Sequence, residues 1–204
     1  MKIICVGMNY ADHVKEFGGV CPDEPVIFMK PDTALLRNNE AFYIPSFSKE
    51  VHYECELVVR INRIGKNIEP RFASRYYDEI GLGVDFTARD VQMALKAQGL
   101  PWEKAKAFDK SAVLSSEFIS VNDLPARNDI HFHLLLNGEM VQQGHTADML
   151  FGIDELIADI SKYYTLKIGD LIYTGTPVGV GAVAIGDHLE GFLEGRKMYD
   201  FVVK

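Results

Sequence analysis

At 204 residues, 48% hydrophobic and 25% charged, the chain is the size of one domain of ordinary soluble composition and can bury a sizeable core. A net charge of −8 without a Lys/Arg stripe argues against nucleic acid as a partner, although a locally positive site can still take small anions. Cys5, Cys21 and Cys55 form no CxxC pair, and there is no signal-peptide pattern or membrane-length apolar run, so a cytoplasmic protein with reduced thiols and no membrane partner is expected.

The chain opens on a strand-like Lys2-Ile3-Ile4-Cys5-Val6, followed by Gly7-Met8-Asn9-Tyr10 and a short polar helix from Ala11 to Glu16 that Gly18-Gly19 ends. Pro25 to Met29 reads as a buried strand stopped by Lys30-Pro31-Asp32. Val51 to Ile61 reads as one β-strand whose alternation puts His52, Glu54 and Glu56 on one face and Tyr53, Cys55 and Leu57 on the other. After a polar turn and a weak helix, Ile80 to Phe86 returns as a strand. Thr87 with Asp90 three residues on predicts a capping-box start to a helix reaching about Gln98. In that helix Val91 and Leu95 are expected to face the core, with Arg89, Gln92 and Lys96 on another side.

Further on, His131 to Leu136 leads into Asn137-Gly138, a strong hairpin signal. Ile153 to Tyr164 is an amphipathic helix with Ile153, Leu156, Ile157, Ile160 and Tyr164 on one side. Leu171 to Thr174 is a strand, and His188 to Leu193, a Glu194-Gly195 turn and Lys197 to Val203 make a closing hairpin. Strands dominate and do not alternate with helices, so the expected fold class is mixed α+β, strand-dominated: a mostly antiparallel β-roll or sandwich with a few covering helices.

Several residues point to chemistry. Glu54 and Glu56 side by side resist burial unless a cation neutralises them, and an oxygen-only pair suits Mg²⁺, Mn²⁺ or Ca²⁺; the alternative is a solvated edge strand. Asp85, at a strand end, can complete that oxygen site or serve as a turn residue. His13 and Glu16 can touch across one helical turn, as a water-activating pair or as a surface pair. Lys106 is either solvated or a positive charge aimed at a carboxylate or developing enolate. Thr174 to Gly181 is a Gly-rich loop that either turns tightly or binds a substrate carboxylate through its backbone and Thr hydroxyls. His131 and His133 have His-x-His spacing, but no third ligand is near in the sequence, so they read as packing or surface residues. Trp102 and the Phe and Tyr residues read as core.

Taken in order, Gly7 to Glu16, Pro25 to Pro31, His52-x-Glu54-x-Glu56-Leu57, Asp85 to Gln92, Pro101-Trp102-x-x-Ala105-Lys106-Ala107-Phe108-Asp109 and Gly169 to Gly181 resemble the fumarylacetoacetate hydrolase superfamily. The likeness is to its short members of the acylpyruvase and oxaloacetate decarboxylase type, and it spans essentially the whole chain. It implies the family's β-roll, a single catalytic domain over residues 1–204 without the extra N-terminal domain of longer members, and a homodimer. It further implies Glu54, Glu56 and Asp85 as ligands of Mg²⁺ or Mn²⁺ and His13 with Glu16 as an acid–base dyad on a short lid. Lys106 would complete the site, and Lys30, Arg89, Gln92 and Thr176 would be substrate contacts. The implied substrate is a small anionic 2-oxo acid whose C1 carboxylate and C2 oxygen chelate the cation. The C3–C4 bond then breaks, by acylpyruvate hydrolysis or oxaloacetate decarboxylation. Two other readings stand beside it: an isomerase or decarboxylase of 2-hydroxy-diene-dioates from aromatic degradation, and a non-catalytic metal- or ligand-binding protein.

Overall fold

The computed structural model describes residues 1–16 and 18–204. A large sheet carries the strands in the order Val26–Lys30, Ile3–Gly7, Leu171–Tyr173, Cys55–Ile61, Tyr77–Asp85, Ala112–Leu114 and Leu35–Leu36. Ile119–Ser120 adds to the flank of Tyr77–Asp85. Two pairings are parallel, Ile3–Gly7 with Leu171–Tyr173 and Leu35–Leu36 with Ala112–Leu114, and the others in the sheet are antiparallel. A second, wholly antiparallel sheet runs Glu139–His145, His131–Leu136, His188–Leu193, Arg196–Val202. A third, small sheet runs Gly181–Ala182, Val51–Tyr53, Thr87–Ala88. This is the expected strand-dominated roll.

The main core joins these sheets. Leu57, Val59, Ile80 and Leu82 from the large sheet meet Phe132, Leu134, Leu189 and Phe201 from the second, all buried. Phe86 links them, stacked on Phe42 at 3.8 Å and edge-on to Phe201 at 6.2 Å. Each such side chain contributes about 1.5–3 kcal/mol of burial. Helix Ile153–Tyr163 adds Ile153, Leu156, Ile157 and Ile160 to the same core. Tyr164, expected on that face, lies past the helix end and is 37% exposed. The two hairpins form where expected. Asn137 (φ 53°) with Gly138 (φ 83°), and Glu194 (φ 47°) with Gly195 (φ 74°), adopt the positive-φ pairs of tight two-residue turns.

The expected single strand from Val51 to Ile61 is two strands. Val51–Tyr53 lies in the small sheet, Cys55–Ile61 lies in the large one, and Glu54 occupies the break. The neighbouring chain makes the same switch, from Tyr77–Asp85 in the large sheet to Thr87–Ala88 in the small one. The Asp85 N–H donates to the Glu54 carbonyl at 2.8 Å across this corner. Period-two alternation cannot show such a break, because a strand that bends into another sheet keeps its residue types. The strand beginning at Tyr77 also starts earlier than expected, since Tyr77 is buried core.

The capping-box expectation at Thr87 fails. Thr87 is strand, the helix is Arg89–Ala97, and it begins without a side-chain cap. Asp90 instead accepts from Ser48 Oγ at 2.7 Å and from the Lys49 and Val91 backbone N–H groups. Val91 and Leu95 are half-buried and outside the core, because the inner side of this helix faces a cavity. Among the described residues no helix is long and apolar enough to cross a membrane.

Candidate active site

The corner between the large and small sheets brings three carboxylates together. Glu56 registers against Gly83, so Asp85, two residues on, lies diagonally across from it on the same face. Glu54, at the break, turns toward both. Glu54, Glu56 and Asp85 offer carboxylate oxygens within 4.8 Å of one another, and all three residues are buried. They line a cavity of about 620 Å³ together with His13, Arg89 and Lys106. The solvated-edge alternative for the two glutamates is therefore excluded.

Each carboxylate has different partners. Glu54 Oε1 accepts from Arg89 Nη2 at 2.7 Å and from Thr87 Oγ1 at 3.1 Å, and Oε2 accepts from Lys106 Nζ at 2.6 Å. Burial alone would raise the Glu54 carboxyl, but Lys106 and Arg89 outweigh it and hold the group well below the usual carboxylate range. Glu56 accepts from the Gly175 N–H at 2.7 Å. Burial, and then the charges of Asp85 and Glu54, push its carboxyl well above the ordinary value. Asp85 Oδ2 accepts from Lys106 Nζ at 2.9 Å. Asp85 Oδ1 has the Lys30 ammonium at 2.6 Å but off the hydrogen-bonding direction, so this buried oxygen has no aligned donor among the described residues.

Lys106 ends the short helix Glu103–Lys106 and is buried, contrary to a solvated lysine. Burial disfavours its charge, yet Asp85 and Glu54 more than compensate and raise its proton affinity above that of a free lysine. Lys30 is enclosed as well, with its side chain 0% exposed. Its ammonium donates to the carbonyls of Phe86, Lys106 and Ser111 and to Ser111 Oγ. Lys30 thus does not line the cavity and stands as a buried counter-charge behind Asp85.

Arg89 and Gln92 do line the cavity. Arg89 donates to Glu54, to Gln92 Oε1 at 2.6 Å and, through Nε, to His52 Nδ1 at 3.3 Å. His13 and Glu16 meet at 3.3 Å on helix Ala11–Glu16, with the His13 side chain 12% exposed and facing the cavity. Burial lowers the His13 pKa from its ordinary value, and Glu54 and Glu16 offset only part of that. Glu16 Oε1 also accepts from the Gly179 N–H at 3.4 Å, which ties the helix to the Gly-rich loop.

The groups of that loop are bonded to neighbouring segments of the protein. Thr174 Oγ1 donates to the Leu57 carbonyl, the Gly175 N–H goes to Glu56, and Thr176 Oγ1 donates to the Cys55 carbonyl while accepting from Gln142 Nε2. Thr176 lines the cavity, where the expected substrate contact would place it, and its hydroxyl proton goes to the Cys55 carbonyl. Gly175 has φ +97°, and a Cβ there would lie 2.8 Å from Asn9 Cβ.

Sequence reasoning missed several contributors. Gln142 is buried and bonds the Cys55 N–H, Thr176 and the Pro177 carbonyl, locking the loop to the strand that carries Glu56. Asn9 pins the same loop through the Thr174 carbonyl. His52, given no role, lines the cavity between Glu50 and Arg89. Trp102 is half-buried and walls the cavity with Phe28 and Met93, so it is not core.

The fumarylacetoacetate (FAA) hydrolase C-terminal family matches residues 2–198. The chain is 43% identical over 197 residues to oxaloacetate tautomerase YcgM of Escherichia coli, which covers 97% of this chain and 90% of that protein. It is 42% identical over 203 residues to the mitochondrial oxaloacetate tautomerase of Rattus norvegicus, covering 100% and 91%. The crystal structure of fumarylpyruvate hydrolase from Pseudomonas aeruginosa with Mn²⁺ and pyruvate superposes with a TM-score of 0.93 at 32% identity, covering 100% of this chain and 89% of that one.

Proposed function

The chain belongs to the fumarylacetoacetate hydrolase family, and from that membership we propose an enzyme that converts small 2-oxo acids by way of their enolate form. The reaction put first is enol–keto conversion of oxaloacetate, the reaction for which its relatives are named. C3–C4 cleavage of acylpyruvates or oxaloacetate is the second reading, favoured by the likeness to a fumarylpyruvate hydrolase. Both need the same intermediate and differ in what happens at C3 and C4.

The observation that carries the proposal is the buried trio of Glu54, Glu56 and Asp85 beside His13 in one cavity. The trio fits a hard divalent ion. Its donors are all carboxylate oxygens, Asp85 Oδ1 has no aligned donor, and Glu56 resists ionisation without further positive charge. Glu54, Glu56 and Asp85 would hold Mg²⁺ or Mn²⁺, which when bound supplies a Lewis acid that favours the enolate form of a 2-oxo acid.

The remaining roles fall to the chain's own groups. His13, kept neutral by burial, would accept the proton at C3 of the keto acid and hand it to the C2 oxygen to give the enol, the reverse sequence giving the keto acid, with Glu16 orienting its ring. Lys106 holds positive charge against the developing enolate. Arg89, held by Glu54 and Gln92, presents charge to the substrate carboxylate. For an acylpyruvate, the same His13 would instead take a proton from water attacking C4. The test follows enol loss from oxaloacetate, and pyruvate release from oxaloacetate and acetylpyruvate, with Mg²⁺ and with EDTA. Cation-dependent enol loss without pyruvate supports the tautomerase reading, and cation-dependent pyruvate release supports cleavage. No cation-dependent change in any of the three sinks both.

A further inference from the structure

A second group of metal-ligating side chains lies outside this cavity. His131 opens strand His131–Leu136, His145 closes strand Glu139–His145, and the two are direct cross-strand partners. Their imidazoles stack with centroids 4.0 Å apart and planes 10° from parallel. Asp129 reaches both: its Oδ1 lies 3.1 Å from His145 Nε2 and 3.7 Å from His131 Nε2. The donor atoms all fall within 4.8 Å of one another. None of the three residues lines the catalytic cavity. The second and third members, His145 and Asp129, thus come from the next strand and the preceding loop, while His133 stacks on Phe192 and takes no part.

We propose that Asp129, His131 and His145 form a second cation site, which takes a first-row transition ion of the Zn²⁺ type. Donor atoms around a tetrahedral zinc stand about 3.3 Å apart, given bonds of ~2.0 Å. The two measured separations to Asp129 bracket that spacing, so only a tilt of two accessible rings is needed. Two imidazoles and one carboxylate suit a borderline ion, unlike the all-oxygen catalytic trio. The half-exposed setting leaves the remaining coordination position to water.

The backbone beneath is fixed on both sides. The His131 N–H donates to Glu194 Oε1 at 2.6 Å and the Glu194 N–H to the His131 carbonyl at 3.0 Å. On the other side, the Thr146 N–H donates to the Ile130 carbonyl at 3.0 Å and the Ile130 N–H to Thr146 Oγ1 at 2.9 Å. The ligands therefore converge from a preset frame and lose little freedom on binding.

The test titrates Zn²⁺ into the full chain in saturating Mg²⁺ by calorimetry, with Co²⁺ absorption reporting coordination. The wild-type protein and Glu56→Gln should show one binding event that His145→Ala and Asp129→Asn each weaken at least ten-fold, while turnover in Mg²⁺ stays unchanged in both. An isotherm that neither substitution alters, or an event lost in Glu56→Gln and kept in His145→Ala, would overturn the proposal.

Discussion

The Lys106 ammonium donates to Asp85 Oδ2 at 2.9 Å, and its bond to Glu54 Oε2 makes it the resident cation of the carboxylate trio. Replacing it leaves two buried carboxylates facing each other. Lys106→Met should lower stability in EDTA, because Glu54 is then left with Arg89 and Asp85 with Lys30, and the cation between the two carboxylates is gone. Mg²⁺ should recover more stability in this variant than in the wild type, as read from urea unfolding. Equal gains would mean that the lysine and the ion do not share a site.

Glu56 gives the metal-free protein an unusual pH response. Its folded-state pKa is raised, so its contribution is full below the unfolded value near 4.5 and is lost as pH rises past it. Glu54 has a lowered pKa; its contribution is present above that value and is lost only as pH falls below it. Above about pH 5 the Glu56 slope is the one left of the two. Melting temperature in EDTA should therefore fall with pH more steeply in the wild type than in Glu56→Gln, and Mg²⁺ should flatten the wild-type curve. Parallel curves would contradict the assignment.

With His13 as the proposed base, its protonation should set an acid limit on activity. Burial lowers its pKa from 6.5, so the ring stays neutral at pH values where a free histidine is half charged. The acid limb of kcat/KM should lie below pH 6.5, and His13→Gln should abolish that limb together with most of the rate. An acid limb retained in the variant would hand the proton to another group.

Lys30 is paired with Asp85 and does not line the cavity. Lys30→Met should lower stability, because the buried Asp85 then keeps Lys106 but loses its second counter-charge. Mg²⁺ binding should weaken with it, while KM measured at saturating Mg²⁺ moves little. A rise in KM alone, with stability intact, would restore the substrate contact.

Thiol chemistry offers a further check on the packing. Cys5 and Cys55 are buried and Cys21 is exposed. Burial pushes the Cys55 thiol up to about 12, despite its contact with the Tyr199 hydroxyl at 3.3 Å. A mild alkylating reagent should modify Cys21 in the folded protein and reach the other two only after denaturation, as peptide mapping would show. Prompt labelling of Cys55 would contradict the corner geometry around Glu54 and Glu56.

Much of this arrangement was legible in the residues. The Asn137-Gly138 and Glu194-Gly195 turns carry their own backbone demands, so both hairpins could be placed from sequence. The pairing of Glu54 with Glu56 and the placement of Asp85 at a strand end also pointed to one site. What sequence could not convey was the corner. Alternation along Val51 to Ile61 looks the same whether the strand runs straight or changes sheet at Glu54, so the means by which Asp85 meets Glu54 stayed hidden. Lys30 and Thr176 show a related limit. Their residue types fit a ligand contact, and only the three-dimensional partners reveal that the Lys30 ammonium and the Thr176 hydroxyl proton are already used. His131 failed in the opposite direction, because its histidine companion, His145, lies fourteen residues on in the next strand.

The central claim, that the trio holds the cation on which turnover depends, is tested most directly by titrating Mn²⁺ into the wild type and Glu56→Gln while following enol loss from oxaloacetate in the same samples. The account predicts that wild-type turnover rises with Mn²⁺ occupancy, and that Glu56→Gln keeps its fold but binds Mn²⁺ at least about ten-fold more weakly, with a matching loss of rate. Unchanged Mn²⁺ affinity, or full turnover in EDTA, would contradict it.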